Sequence, residues 1–134
     1  MGDTSFEIPA GAAAHSESFE FQLPGPPEVP LDLNFEILGT FPHMHVLGTG
    51  YRMWVQDWGG DTCLVESDSY DFDNQLTYFF DTPVSVKSGD TIGFECTWDN
   101  SADNPNQMFE EPQPIGYGER TNEEMCFAFT LIGL

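Results

Sequence analysis

The chain has 134 residues, enough for one domain with a buried core, and carries 23 acidic against 3 basic residues for a formal net charge of −20. So few cations leave nothing to neutralise phosphates, which excludes nucleic acid and anionic membrane surfaces as partners. No apolar run approaches the ~20 residues that cross a bilayer. Hydrophobic residues at 40 % and aromatics at 14 % exclude disorder as the use of the acid. The acid reads as a solvated skin over a folded domain.

In chain order the sequence alternates strand-like runs with breakers. Met1-Gly2-Asp3 lacks the basic start and apolar stretch of a signal peptide, so the chain reads as a mature form or a domain taken from a longer precursor. "SFEIP" (5–9) is a first short strand, followed by the breaker "PAGAAA". In "SESFEFQLP" (16–24), Phe19, Phe21 and Leu23 fall on one face and Glu20 and Gln22 on the other. The Pro-rich "LPGPPEVP" (23–30) reads as a stiff crossover between sheets. "LNFEILGTF" (33–41) and "YRMWVQ" (51–56) follow; the second runs through Gly59-Gly60, which supply the positive φ of a tight hairpin, into "TCLVES" (62–67). "LTYFF" (76–80), "TIGFECTW" (91–98), entered through the turn Ser88-Gly89-Asp90, and "MCFAFTLIGL" (125–134) complete the set. No segment carries a helical period. About eight strands at this spacing predict an all-β protein, an antiparallel sandwich or jelly roll, in one domain spanning residues 1–134.

Between the third and fourth strands lies "FPHMHVLG" (41–48). On a strand, residues i and i+2 share a face, so His43 and His45 can reach one metal while Met44 points away. The same pair also reads as two strand histidines with ordinary hydrogen-bond partners. What completes a site decides the metal. A carboxylate suits zinc or iron, a third histidine zinc or Cu(II), and a thioether Cu(I). His15 follows a flexible segment and reads as a surface residue. Among the methionines, Met53 and Met108 have no flanking signal, whereas Met125 stands where a turn enters the last strand. The acidic run "ESDSYDFDNQ" (66–75), with Glu66, Asp68, Asp71 and Asp73, lacks the glycine and terminal glutamate of an EF-hand and reads as a solvated loop.

Three cysteines leave one over if two are bridged. Cys96 and Cys126 lie on strand-like segments, and a bridge between them would place the chain outside the reducing cytosol; spacing alone does not decide it. Cys63, in "TCLVES", reads as a small core hydrophobe.

"HMHVLG", "SGDTIGFECTWDNSADNP" and "GERTNEEMC", in this order, resemble the C-terminal half of the copper type II ascorbate-dependent monooxygenases. That family includes the peptidylglycine alpha-hydroxylating and dopamine beta-monooxygenases. The motif-bearing part is residues 33–134, with "FEIPAG" as an opening strand. The resemblance implies a jelly-roll sandwich, one copper per chain held by His43, His45 and Met125, and a disulfide between Cys96 and Cys126. It implies further that dioxygen and a small-molecule substrate meet at this copper for C–H hydroxylation, with ascorbate as reductant, outside the cell or in the periplasm. Two imidazoles and a thioether suit Cu(I) with an open position.

The resemblance also departs from the family at identifiable residues. The family's partner copper domain uses three more histidines, and this chain has three in all, so that copper or another electron donor has to come from a separate domain. Peptide-amidating members place an arginine two residues before the first histidine and a tyrosine four residues after the methionine. Here those positions are Phe41 and Phe129, which replace charge-assisted substrate binding with an aromatic wall and make both residues substrate-pocket candidates. The rival reading is a copper-binding or copper-carrying protein without monooxygenase activity, and a third is a structural adhesion module.

Overall fold

The computed structural model describes residues 1–134. Its strands are β1 (Gly2–Asp3), β2 (Glu7–Ile8), β3 (His15–Gln22), β4 (Asn34–His43), β5 (Gly48–Asp57), β6 (Gly60–Ser67), β7 (Tyr78–Lys87), β8 (Thr91–Trp98), β9 (Ile115–Gly116) and β10 (Cys126–Gly133). A single 3-10 turn, Phe72–Asn74, interrupts them. Two four-stranded antiparallel sheets, ordered β1-β10-β4-β7 and β3-β8-β5-β6, face each other, and β2 and β9 pair at one end. This is the jelly-roll order: successive strands cross between sheets, except for the β5–β6 hairpin. The Pro-rich segment makes the crossover from β3 to β4.

The inner faces follow from the period-2 alternation along each strand. Ile37, Met53, Val55, Val86, Ile92, Phe94 and Trp98 are all buried, and Met44 and Leu47 extend this core under the β4–β5 turn. A disulfide joins Cys96 of β8 to Cys126 of β10, with Cα atoms 5.9 Å apart, so it ties one sheet to the other through the core.

Several local expectations are corrected. β7 does not stop at Phe80 but continues to Lys87. It is an edge strand, and Pro83 falls where the β4–β7 register breaks between Ile37 and Gly39, a place that needs no ladder bond. In the β5–β6 turn only Gly60 has a positive φ, at 122°; Asp57 caps Gly59 instead through a 2.6 Å bond to its N–H.

Cys63 is exposed, not a core residue. Register slips between Met53 and Trp54, so that Met53 faces Val65 and Trp54 faces Cys63, which puts the thiol on the outer face with Trp54. His15 is half-buried rather than simply on the surface, its Nε2 2.9 Å from Glu17 Oε1 and its ring stacked beside Trp98.

Candidate metal centre

The site grows from the end of one strand pair. β4 runs antiparallel to β10 with Phe41 opposite Phe129 and His43 opposite Phe127. Residues in register share a face, and here it is the outer one, because the intervening Pro42, Met44, Cys126 and Ala128 are buried. The rings of Phe41, His43 and Phe129 stand about one ring's width apart, each pair 6.1 Å between centroids.

His43 is the last residue of β4, so His45 lies just past the strand instead of on it. The chain turns at once, closed by a bond from Gly48 N to His45 O. The pair nevertheless shares a side, with ring centroids 5.3 Å apart and planes at 84°. Met125 comes immediately before β10 begins, two residues ahead of Phe127, the partner of His43. No group of three His, Cys, Asp or Glu side chains sits together as a metal cluster.

Hydrogen bonds set the tautomer of each ring. His45 Nδ1 lies 2.9 Å from the backbone oxygen of Glu123, which can only accept, so this Nδ1 carries the proton. His43 Nδ1 lies 2.7 Å from Gln75 Oε1. The Gln75 amide is itself oriented by its Nε2, which donates to Phe72 O at 3.0 Å, so Oε1 is the acceptor and His43 Nδ1 the donor. In its neutral form each ring then carries its lone pair on Nε2. Neutral imidazoles whose other nitrogen is held by an oxygen acceptor suit metal ligation, and two imidazoles with a thioether would be a donor set suited to copper in its reduced state.

The backbone around the pair is gripped from two sides. Tyr70 donates its hydroxyl to Met44 O at 2.7 Å and accepts Met44 N–H at 3.1 Å, clamping the peptide between the two histidines. Burial pushes this phenol up to about 12, so it stays a donor at ordinary pH. On the other side lies Glu124, buried to 1 % exposure. It accepts N–H groups from His45 (2.8 Å), Leu47 (2.8 Å) and Met125 (3.3 Å), and the Trp98 indole N–H at 3.0 Å. Burial pushes its carboxyl up to about 7, against the pull of these donors. Gly48 is required here, because a Cβ would lie 2.9 Å from both Met44 Cβ and the Tyr70 ring.

Glu124, Tyr70 and Gln75 are the residues that sequence reasoning missed as parts of the site. Glu124 stood in view beside Met125 but looked like one acid among 23. Tyr70, Phe72 and Gln75 belong to the acidic run 66–75. Its acids Glu66, Asp68, Asp71 and Asp73 are solvent-exposed, while Phe72 and Gln75 reach the histidines and Tyr70 the peptide between them. His15 belongs to the other sheet and is held by Glu17.

Comparison with known proteins agrees with this architecture. The chain matches the family described as copper type II ascorbate-dependent monooxygenase, C-terminal domain, over residues 27–131. No curated protein matches it. A match spanning both the histidine pair and the Glu124-Met125-Cys126 segment, on a jelly roll that brings them to one sheet end, places this chain in the copper type II ascorbate-dependent monooxygenase family as a C-terminal domain.

Proposed function

We propose that this chain is an oxygen-activating copper domain that works in C–H hydroxylation with a separate electron donor. His43 and His45 would hold the copper through Nε2 and Met125 through its sulfur. The observation that supports this best is the double tautomer lock, which leaves two Nε2 lone pairs on neighbouring rings. When bound, the copper supplies the dioxygen chemistry, and an ascorbate-type reductant supplies electrons.

The chain's own residues do the rest. Gln75 and the Glu123 carbonyl orient the imidazoles, while Tyr70 and Glu124 fix the turn that carries them. Phe41 and Phe129 present an apolar wall beside His43, with Phe129 52 % exposed. The strand that carries Phe129, Cys126–Gly133, contains no charged residue. The substrate that fits is small and apolar or aromatic, not a peptide carboxylate. The disulfide and the family together support an oxidising location, extracellular or periplasmic.

The test is an anaerobic Cu(I) titration of the metal-stripped chain. One tight equivalent, lost in His43→Ala and kept in His15→Ala, supports the ligand set; equal losses in both would sink it. Ascorbate-dependent oxygen uptake, abolished by Met125→Ala, then separates the oxygenase from its rival. Tight Cu(I) binding without oxygen uptake, even with an electron donor present, favours a copper-carrying protein. That second reading draws on one observation: with His43 and His45 used and His15 held by Glu17, this chain has no histidines for a second copper.

A further inference from the structure

Three of the chain's four tyrosines stand in line and lead away from the histidine pair. The line starts at Tyr70, whose hydroxyl bonds both Met44 O and Met44 N–H. Those two atoms belong to the peptide groups that run into His45 and from His43. Tyr51 of β5 comes next, its ring centroid 6.1 Å from that of Tyr70 with the planes at 85°. Tyr78, the first residue of β7, completes the line. Its ring centroid is 6.2 Å from that of Tyr51, and the Tyr51 hydroxyl donates to its oxygen at 2.5 Å. Aromatic rings at this spacing are in contact. The line thus crosses from one sheet to the edge strand of the other.

The surroundings of the three phenols differ in what they offer the proton. Tyr70 donates to a backbone carbonyl, which is too weak a base to take it. Tyr51 is 6 % exposed, and burial together with the Tyr78 bond pushes its phenol well above the ordinary value, so it keeps its proton at ordinary pH. Tyr78 is half-buried and accepts from Tyr51, which leaves its own O–H uncommitted. A cavity of about 90 Å³, lined by Tyr51, Tyr70, Asp71 and Tyr78 among others, is large enough for water to reach it. The fourth tyrosine stands apart. Tyr117 contacts Phe127, and only phenylalanines connect it through Phe129 to His43. A phenyl ring has no O–H and no oxygen lone pair to feed it, so it gives up an electron far less readily than a phenol.

We propose that Tyr70, Tyr51 and Tyr78 form a redox relay that carries an oxidising equivalent from the histidine pair to the surface. The proposal rests on the copper reading, which supplies the oxidant: a high-potential one-electron oxidant formed when dioxygen is reduced with no substrate in place. Left at the site, such an oxidant attacks what is nearest, the imidazoles or the Met125 thioether, which goes to the sulfoxide. The relay gives it an electron instead. Tyr70 supplies that electron and regains one from Tyr51, which regains one from Tyr78. While Tyr51 is oxidised its proton is shared with Tyr78, and it returns afterwards, so Tyr70 and Tyr51 end unchanged. At Tyr78 the O–H bond breaks: the electron goes inward, the proton goes to water or to the Asp71 carboxylate, and a neutral tyrosyl radical remains. An ascorbate-type reductant returns one electron and one proton to it at the surface.

The test loads the whole chain with one equivalent of Cu(I), adds hydrogen peroxide without substrate, and freeze-quenches the mixture for electron paramagnetic resonance. In a parallel sample with a nitroso spin trap, tandem mass spectrometry locates the adduct and the oxidation of His43, His45 and Met125. The wild type is expected to give a tyrosyl signal and an adduct on Tyr78. Tyr51→Phe keeps the ring and removes the hydroxyl. It should lose the Tyr78 adduct and show more oxidation of the three proposed ligands. Tyr78→Phe, at the surface end, should also lose the signal and raise that oxidation, whereas Tyr117→Phe should match the wild type. Equal adduct yield and equal ligand oxidation in wild type and Tyr51→Phe overturn the relay, as does a radical located on Trp98. Oxidation of His43, His45 and Met125 with no tyrosyl signal overturns the relay and leaves the copper reading standing. A chain that holds no copper and shows no oxidation at those residues overturns both.

Discussion

The carboxylate of Glu124 accepts the backbone N–H of His45 at 2.8 Å while its other oxygen accepts that of Leu47 at 2.8 Å, so one buried side chain spans the turn leaving the histidine pair. Because it also holds Met125 N and the Trp98 indole, it ties the backbone at two of the three proposed ligands, His45 and Met125, to the core. Glu124→Ala strands four donors. Even one buried donor left unpaired costs about 1–3 kcal/mol, so the variant is expected to lose at least that much stability. Urea denaturation measures it. An unchanged midpoint would show that the turn does not depend on this carboxylate.

The same residue makes stability depend on pH, and the sign follows from burial. Its folded value, about 7, lies above the ordinary carboxyl value of 4.5 that the unfolded chain keeps. A carboxyl raised on folding contributes stability that is fully present below the unfolded value and fades as pH rises through the folded one. At about 1.36 kcal/mol per unit, this shift corresponds to about 3 kcal/mol lost between pH 4.5 and somewhat above pH 7. Glu124→Gln does not titrate, so the difference in unfolding free energy between metal-free wild type and this variant isolates the effect from the general repulsion of the acidic surface. A difference that stays flat across the window would contradict the assignment.

Gln75 connects the acidic loop to the site and offers a test of the tautomer argument. Gln75→Leu leaves His43 Nδ1 without its acceptor at 2.7 Å. Outer-shell partners of this kind affect metal affinity by about 10–100-fold. Competition titration against a Cu(I) chelator should show a loss in that range. Glu66→Gln, on an exposed acid of the same run, serves as a neutral control.

The contrast between Gln75 and His43 shows what was legible in the sequence. His43, His45 and Met125 could be named because their residue types advertise metal chemistry and their motifs keep a recognisable order. The strands could be placed because apolar alternation has a period of two, and the jelly roll followed from their number and spacing. Gln75, Tyr70 and Glu124 carry no such mark. Each becomes part of the site only through a contact across 26 to 79 residues of chain, which local pattern does not encode. Cys63 failed for a related reason: a single slip of register on β6 reverses the face of every residue beyond it, and composition does not reveal the slip.

Met125 sets the expected preference of the centre between copper oxidation states. A thioether favours Cu(I), whereas a third imidazole accommodates Cu(II) equally well. Met125→His should therefore strengthen Cu(II) binding relative to Cu(I), read as the ratio of the two dissociation constants from parallel titrations. A ratio identical to wild type would mean that the side chain at 125 does not reach the metal, while leaving the histidine pair untouched as a binding unit.

The disulfide places a final constraint on how Met125 is held. Cys126 follows it directly and is bonded to Cys96 on the opposite sheet, across 30 residues of sequence. Closing a loop of that size is worth about 3–4 kcal/mol in the chain-entropy account. The double variant Cys96→Ala/Cys126→Ala should lose stability of that order. It should also lose more Cu(I) affinity than stability alone predicts, because the backbone that presents the thioether is no longer anchored through β8. Measuring both quantities below the denaturation midpoint separates the two effects. A destabilised variant that still binds Cu(I) as tightly as wild type would assign the bridge to the fold alone, with Glu124 and the β4–β10 register sufficient to position residue 125.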